Sequence, residues 1–269
     1  MSIQVFNHNA MATVFQVRIA DQEPRYAAQA ARAAFEVVDR LEGLLSRFRE
    51  NSEISQASHL AAGETLRLSE PVFACLRIAE RMERATGGAF SAIPMRKTGQ
   101  PPPAWSLLEE ARSIRCDQGR LDLDLGAIGK GFALDRMAEE LADWDCTSCL
   151  LVAGGSSVLA GAPPEGLAGW SAGLELDAVG TGRLLRHVSV SASGLAVKGN
   201  HIVDPRTGRP ATLRPRVWAF APSAAESDAL STACMILGED EIERMLAANP
   251  GWGVLLRNDS GWQQFGATG

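Results

Sequence analysis

The sequence predicts an α+β fold, in which mixed sheets pack against helices within one domain. Strand-like segments occur along the whole chain, and the helical segments lie both before and between them. Strict alternation of strand and helix, which would indicate a parallel sheet, is not seen. With 269 residues, of which 46% are hydrophobic and 22% charged, the chain is long enough to bury a substantial core. We therefore expect a single domain over residues 1–269.

The first third of the chain predicts one strand and two long helices. ATVFQVRI alternates apolar and polar residues, and RYAAQAARAAFEVVDRLEGLLSRF then carries its apolar side chains at helical spacing. In LSEPVFACLRIAERMERATGG, Ser69 and Pro71 are helix start signals and Gly87 with Gly88 is a stop signal. The proline run QPPPAW at 100–105 then breaks the pattern, and it marks a possible boundary between two lobes.

The rest of the chain predicts short strands with helices between them. The helical segments are FALDRMAEELADW, SDALSTACMILG and EDEIERMLAAN. The strand segments, each ending in turn residues, are LDLDLG, CLLVAGGSSVLAG, WSAGLEL, RHVSVSAS and RVWAFAPS.

Charge and targeting signals exclude several classes of protein. The net charge of −6 and the absence of a sustained Lys/Arg run argue against a nucleic-acid partner. No segment is apolar for long enough to span a membrane, and no secretory signal is visible, so we expect a cytoplasmic protein unless a leader was removed. Of the five cysteines, only Cys146 and Cys149 form a C-x-x-C. No second pair completes a zinc site, which favours reduced structural thiols.

The segment LDLDLGAIGKGFALD combines acidic residues with a glycine-rich helix start. If LDLDLG is a strand, its leucines point one way, and Asp124 ends the strand with its carboxylate on the other face. GAIGKG then opens a helix whose backbone N–H groups can receive an anion. Lys130 near a helix N-terminus is unfavourable by about 0.3 to 1 kcal/mol unless a negative group lies nearby. The alternative is a glycine turn with a solvated lysine, and the spacing does not decide between the two.

Two further segments carry candidate chemistry. In ESDALSTACMILG, Asp228 and Thr232 share one helix face with Ser231 near them, and such hard oxygen ligands suit Mg²⁺. Helix capping by Asp228 and packing of Thr232 is the alternative, and local sequence alone favours it.

In NHIVDPRTGRPA, His201 suits general base catalysis near neutral pH, and Asp204 could orient a neighbour. A structural imidazole that caps the turn is the alternative there.

These segments, in this order, resemble the FAD:protein FMN transferase family, also called the ApbE family. The resemblance covers nearly the whole chain. It rests on AMATVFQV, LSRFRENSEISQ, TGGAF, DLGAIGKGFALD, VAGGSSVLAG, SASG, HIVDPRTGRPA and SDALSTA. It implies an α+β fold that binds FAD in a cleft between two lobes and uses Mg²⁺ on the diphosphate. It also implies transfer of FMN to a threonine of a target flavoprotein, with release of AMP.

The resemblance also implies roles for particular residues. His201 matches the catalytic histidine of the family. Metal binding is implied for Asp228, for Thr232 with Ser231 beside it, and for the backbone carbonyl of Ala127. The positions that match the family around FAD are Met11, Phe48, Ala89, Phe90, Ser91, Asp124, Lys130 and Ile202.

The chain departs from the family pattern at GAFSAIP. Ser91 stands where an aspartate is common, and Ile93 replaces a hydroxyl residue. A lost carboxylate there could weaken or change flavin recognition. Two other functions therefore stay open at this point: an Mg²⁺-dependent FAD pyrophosphatase, in which water replaces the threonine, and a flavin-binding protein without catalysis.

Overall fold

The structure is a computed structural model that describes residues 2–93, 103–172, 183–194, 202–258 and 261–267. In chain order the elements are β1 (Ile3–Ala10), β2 (Thr13–Ala20), α1 (Pro24–Leu45), α2 (Glu53–Ser58), β3 (Thr65–Arg67), α3 (Glu70–Ala85), β4 (Ala104–Leu108), β5 (Ser113–Gln118), α4 (Gly129–Asp143), β6 (Cys149–Ala153), β7 (Ser157–Ala160), β8 (Trp170–Ser171), β9 (Leu184–Leu185), β10 (Val188–Gly194), β11 (Arg216–Ala221), α5 (Ala224–Cys234), α6 (Glu239–Ala247), β12 (Gly253–Asn258) and β13 (Gly261–Gly266).

A large antiparallel sheet organises the molecule. Among the described residues its strand order is β1-β2-β6-β7-β10-β11-β12-β13, and smaller sheets have the orders β3-β5-β4 and β8-β9. Helices α4 and α5 pack on one face of the large sheet and against each other. Phe15, Val17 and Ile19 of β2 are buried and join the main core on this face. A second apolar cluster, which includes Trp170 and Trp218, covers the other face.

Most predicted elements form where the sequence placed them. The α3 helix begins after Ser69 and ends before the Gly87–Gly88 turn, in which both glycines have positive φ. The three helices predicted in the second half correspond to α4, α5 and α6. Of WSAGLEL, Trp170 and Ser171 form β8, whereas residues 173–176 lie outside the described part of the chain. Residues 100–102 of the proline run also lie outside it.

The prediction of a strand at LDLDLG is wrong. Its leucines are buried and its aspartates partly exposed, so the alternation is present. The segment nevertheless joins no sheet, because its backbone donors are used elsewhere. The N–H of Leu123 donates to Ser58 Oγ at 3.0 Å, and the N–H of Asp124 donates to the carbonyl of Ala92 at 2.8 Å. Asp122 has a φ of 44°, which no regular strand allows.

The five cysteines are buried, and all of them are free thiols. Burial raises the pKa of Cys149 to about 12, and the nearby Cys146 contributes to the same shift. Thiolates are the reactive form of cysteine, so burial makes these side chains inert at neutral pH. In the described parts of the chain, no helix combines the length and the apolar character needed to cross a membrane.

Helix α5 is held at its N-terminus by a carboxylate of α4. Asp135 accepts hydrogen bonds from the N–H groups of Ala224 at 2.7 Å and Ala225 at 2.9 Å, and from the Ser223 hydroxyl at 2.7 Å. Burial and, to a smaller extent, the charge of Asp228 raise the pKa of Asp135 to about 6, against the lowering effect of these hydrogen bonds. Asp135 therefore links α4 to α5 through a group that titrates within two pH units of neutrality.

This titration predicts a pH-dependent stability. An acid with a raised pKa in the folded state binds its proton more tightly there than in the unfolded state. The unfolding free energy therefore falls as the pH rises from the unfolded-state pKa to the folded-state pKa. For Asp135 the window runs from 3.8 to about 6. In buffer without divalent cations, urea unfolding should show the wild-type chain losing stability relative to Asp135→Asn between these pH values. Parallel pH profiles for the two proteins would contradict this assignment.

Candidate functional site

Asp228 is the centre of the candidate site. It lies in the second turn of α5, and its side chain is 4% exposed. Its Oδ1 accepts hydrogen bonds from the hydroxyls of Ser157 at 2.6 Å and Ser191 at 2.5 Å. Its Oδ2 accepts a hydrogen bond from the N–H of Gly131 at 2.6 Å and lies 3.7 Å from Lys130 Nζ. A buried carboxylate is thus surrounded by donors from β7, β10 and α4.

The bond to Gly131 caps the N-terminus of α4. Gly131 is the third residue of α4, and the N–H groups in the first turn of a helix have no acceptor within the helix. The N–H of Gly131 donates to Asp228, and the described residues supply no backbone donor to the carbonyl of Ala127, which lies before the helix. From the local sequence, an anion at this end of α4 was one of two open interpretations, and capping of its own helix was the alternative to metal binding by Asp228. Asp228 in fact caps α4, so its own carboxylate is an anion received there.

The two hydroxyls predicted beside Asp228 lie next along α5. Ser231 Oγ donates to the backbone carbonyl of Asp228 at 2.9 Å, and Thr232 Oγ1 lies 3.4 Å from the same oxygen. Ser193 of β10 contacts both of them, with Oγ–Oγ 2.8 Å to Ser231 and Oγ–Oγ1 3.4 Å to Thr232. The structure therefore brings Asp228, Ser231 and Thr232 together at the interface of α5 with β10.

This set of oxygen atoms fits Mg²⁺ better than a metal that needs a cage of side chains. The described segments contain no group of three or more His, Cys, Asp or Glu side chains suited to a metal ion. Mg²⁺ is usually held by one or two carboxylates together with water and substrate phosphate. Asp228 supplies one buried carboxylate, Thr232 a hydroxyl, and Ala127 a carbonyl that receives no backbone hydrogen bond from the described residues. These three residues could hold the cation.

A second group of predicted residues is connected through Arg47. The Phe48 ring is 83% exposed, and Arg47 Cζ lies 4.8 Å from its centroid. Arg47 also forms an ion pair with Asp124 at 3.2 Å, and Asp124 Oδ1 accepts from the N–H of Gly126 at 2.8 Å. An exposed aromatic ring backed by a guanidinium offers a flat surface for another ring. Phe48 and Asp124 are therefore neighbours in the fold although 76 positions separate them in the sequence.

Met11 lies in the tight turn between β1 and β2. Both central residues, Met11 and Ala12, have positive φ values of 49° and 57°. Non-glycine residues adopt this conformation at a cost, and such strain concentrates at functional sites. Thr13 follows the turn and packs against Gly154, where a side chain would meet Thr13 Oγ1 at 2.6 Å. The turn thus lies beside the glycine turn that connects β6 to β7.

The predicted flavin contacts at positions 89–91 are buried. Ala89 is 1% and Phe90 2% exposed, and both belong to the main core. The hydroxyl of Ser91 accepts from the N–H of Ile93 at 3.1 Å. Ile93 itself fills the core. Ser91 therefore serves a local turn here, and Ile93 serves the packing of the core.

The segment that follows His201 forms a rigid turn. The Ile202 carbonyl accepts from the N–H of Ala211 at 2.8 Å, and Asp204 binds Arg206 side chain to side chain at 3.0 Å. Burial alone would raise the pKa of Asp204, but the hydrogen bonds and charge of Arg206 lower it below its usual value. The neighbour that Asp204 orients is thus Arg206. His201 lies outside the described residues, and its role stays a prediction.

Arg206 also joins two of the predicted motifs. Its guanidinium forms an ion pair with Glu241 at 2.9 Å, and its Cγ lies 3.6 Å from where a side chain on Gly88 would begin. The DPRTG turn therefore packs against the TGGAF segment. Ile202 is buried at 6% exposure at the start of this turn.

Sequence reasoning missed several residues of the site. Arg47, Gly131, Ser157 and Ser191 were not proposed as site residues, although each contacts one that was. One signal was available in VSVSASG, where serines recur with the period of two that places them on one face of a strand. That face of β10 lies against α5.

Comparison with known proteins identifies the family. The ApbE family model matches residues 11–256. A relative from Treponema pallidum, named FAD:protein FMN transferase, is 28% identical, and the match covers 91% of this chain and 82% of the relative. A relative of the same name from Haemophilus influenzae is 24% identical, with 81% and 73% covered.

Solved structures confirm the α+β fold. Flavinyl transferase ApbE from Pseudomonas stutzeri superposes with a TM-score of 0.80 over 98% of this chain and 95% of that one, at 19% identity. Flavin transferase ApbE from Vibrio cholerae gives a TM-score of 0.77 over 99% and 98% of the two chains, also at 19% identity.

Proposed function

The chain belongs to the ApbE family, and we propose that it is an Mg²⁺-dependent FAD:protein FMN transferase. In the proposed reaction it binds FAD and attaches FMN through a phosphoester bond to a threonine of a target flavoprotein, with release of AMP. For the site residues predicted from the sequence, we propose the roles that the family resemblance implies. The names of the relatives support the reaction class.

One observation carries the proposal: the buried carboxylate of Asp228 lies at the positive end of α4, next to Lys130. The carboxylate attracts the cation, while the lysine and the helix N-terminus attract phosphate oxygens. Bound Mg²⁺ would neutralise negative charge on the diphosphate.

The chemistry is a displacement at phosphorus. The threonine oxygen forms a bond to the phosphorus on the FMN side, and the bond from that phosphorus to the bridging oxygen breaks, so that AMP leaves with the electron pair. The threonine proton passes to His201, which acts as the general base. Lys130 stabilises the charge that develops on the phosphate oxygens. The exposed Phe48 ring and Asp124 are the proposed contacts for FAD.

Replacing His201 by alanine tests the base. We expect the rate of FMN transfer to fall by about 10² to 10⁴, because the proton of the attacking hydroxyl then lacks an acceptor. The measurement is in-gel flavin fluorescence of a threonine-bearing acceptor after incubation with FAD and Mg²⁺. FAD binding, followed by quenching of flavin fluorescence, should be retained. Undiminished labelling by the variant would remove His201 from this role.

The same assay tests the reaction itself. Equal amounts of AMP and labelled acceptor, with neither product formed when Mg²⁺ is chelated, are the expected result. Release of AMP and FMN at the same rate without an acceptor would instead identify an FAD pyrophosphatase. Bound FAD without AMP release at any Mg²⁺ concentration would identify a flavin-binding protein. An acceptor in which the threonine is replaced by valine is the matched control.

A further inference from the structure

We propose that Ser157 and Ser191, called the serine pair below, are positioning residues that set how Asp228 binds the divalent cation. The proposal rests on the proposed function for the presence of that cation. It concerns which oxygen of Asp228 is available, and it adds two residues to those predicted from the sequence.

The serine pair occupies one carboxylate oxygen completely. An ionised carboxylate offers about four lone-pair positions, two on each oxygen. On Oδ1, both positions are taken by the hydroxyls of Ser157 and Ser191, at 2.6 Å and 2.5 Å. Both serines are 0% exposed, so water does not compete for these bonds. Oδ1 therefore has no position left for a cation.

The second oxygen keeps one position. Oδ2 accepts the N–H of Gly131 at 2.6 Å, and its other neighbour, Lys130 Nζ, lies at 3.7 Å, which is an ion pair without a hydrogen bond. One lone-pair position of the four therefore lacks a short hydrogen bond. We infer that Asp228 holds the cation through Oδ2 alone, with Oδ1 fixed by the serine pair.

The direction of the hydroxyl bonds is set by the carboxylate itself. An ionised carboxylate only accepts hydrogen bonds, so Ser157 and Ser191 each direct their single hydroxyl proton to Asp228 Oδ1. If the serine pair is removed, the carboxylate gains freedom to rotate and loses two charge-assisted hydrogen bonds. Groups that orient a metal ligand in this way commonly change metal affinity by about 10- to 100-fold.

The test measures metal binding directly. Mn²⁺ serves as the probe, and its free concentration is followed by electron paramagnetic resonance, with and without FAD and without acceptor. For Ser157→Ala and Ser191→Ala we expect the Kd for Mn²⁺ to rise by about 10- to 100-fold. If the alanine variants fold poorly, Ser157→Cys and Ser191→Cys replace them, because cysteine nearly keeps the side-chain volume but donates hydrogen bonds weakly. The Kd for Mn²⁺ should rise in these variants too.

Ser189→Ala is the matched control. Ser189 lies on the same strand as Ser191 and is 0% exposed; its hydroxyl donates to the carbonyl of Val158 at 2.8 Å and lies 2.8 Å from Ser227 Oγ, whereas its hydrogen bonds do not include Asp228. The Kd of the Ser189→Ala variant for Mn²⁺ should stay within about twofold of the wild-type value, since Ser189 does not orient a metal ligand. Unchanged affinity in both serine-pair variants, or an equal loss in Ser189→Ala, overturns the proposal.

The outcome is separable from that of the proposed function. A wild-type protein that binds Mn²⁺ but transfers no FMN would refute the transferase reaction, while the affinities still decide the role of the serine pair. A protein that transfers FMN while the serine-pair variants bind Mn²⁺ normally would refute only the positioning role. A wild-type protein that binds no Mn²⁺ would refute both.

Discussion

Replacing Asp228 by asparagine is expected to lower the rate of FMN transfer by about a thousandfold or more, equivalent to about 4 kcal/mol of transition-state stabilisation. The substitution keeps the shape of the side chain but removes the only carboxylate among the proposed metal ligands. It also places an amide NH₂ among groups that already donate hydrogen bonds, which are Gly131, Ser157 and Ser191. Initial rates of acceptor labelling at saturating FAD, measured over a range of Mg²⁺ concentrations, give the result.

Glu226→Gln is the control for Asp228→Asn. Glu226 is a second buried acid on the same helix, where it pairs with Arg81 and accepts from the indole N–H of Trp252 at 3.0 Å. Its partners are structural, so the control should lose stability but keep the Mg²⁺ dependence of the wild type. If both variants lose transfer equally at matched folded fractions, Asp228 has no special role in metal binding.

Replacing Gly131 by alanine is expected to destabilise the fold by about 3 kcal/mol, the upper part of the range for overpacked cores. A Cβ on Gly131 would overlap the carbonyl of Ala224 and lie 2.7 Å from the N atom of Ala225. Both neighbours are backbone, so α4 and α5 would have to separate. That movement would also stretch the bond from Gly131 to Asp228. Thermal unfolding should show a Tm lowered by about 6 to 12 °C.

Gly129→Ala provides the comparison for Gly131→Ala. Gly129 lies two residues earlier in α4 and is also buried, but a Cβ there would meet no atom within 4 Å. Since alanine favours a helix over glycine by about 0.5 to 1 kcal/mol, this variant should be as stable as the wild type or slightly more stable. If both variants are destabilised equally, glycine is required to begin helix α4 and not to allow the contact with α5.

The sequence by itself determined the class of fold and the family. Helical periodicity placed α1 and α3, and start and stop residues such as Ser69 and Gly87 marked the ends of α3. These signals are local, because caps and apolar spacing act within a few residues. The order of the motifs, read as a resemblance, then identified Asp228, Thr232 and Lys130 as candidates. The structure brings Asp228 together with each of the other two.

Only the tertiary structure decided how Asp228 is held. Its donors come from β7, β10 and α4, and the spacing of residues along the chain does not show which of these elements pack together in the fold. The same limit explains the error at LDLDLG, where alternation predicted a strand but Ser58 and Ala92 took the backbone donors. Periodicity reports which face of a segment is buried, whereas the partners of its polar groups are set by elements distant in sequence.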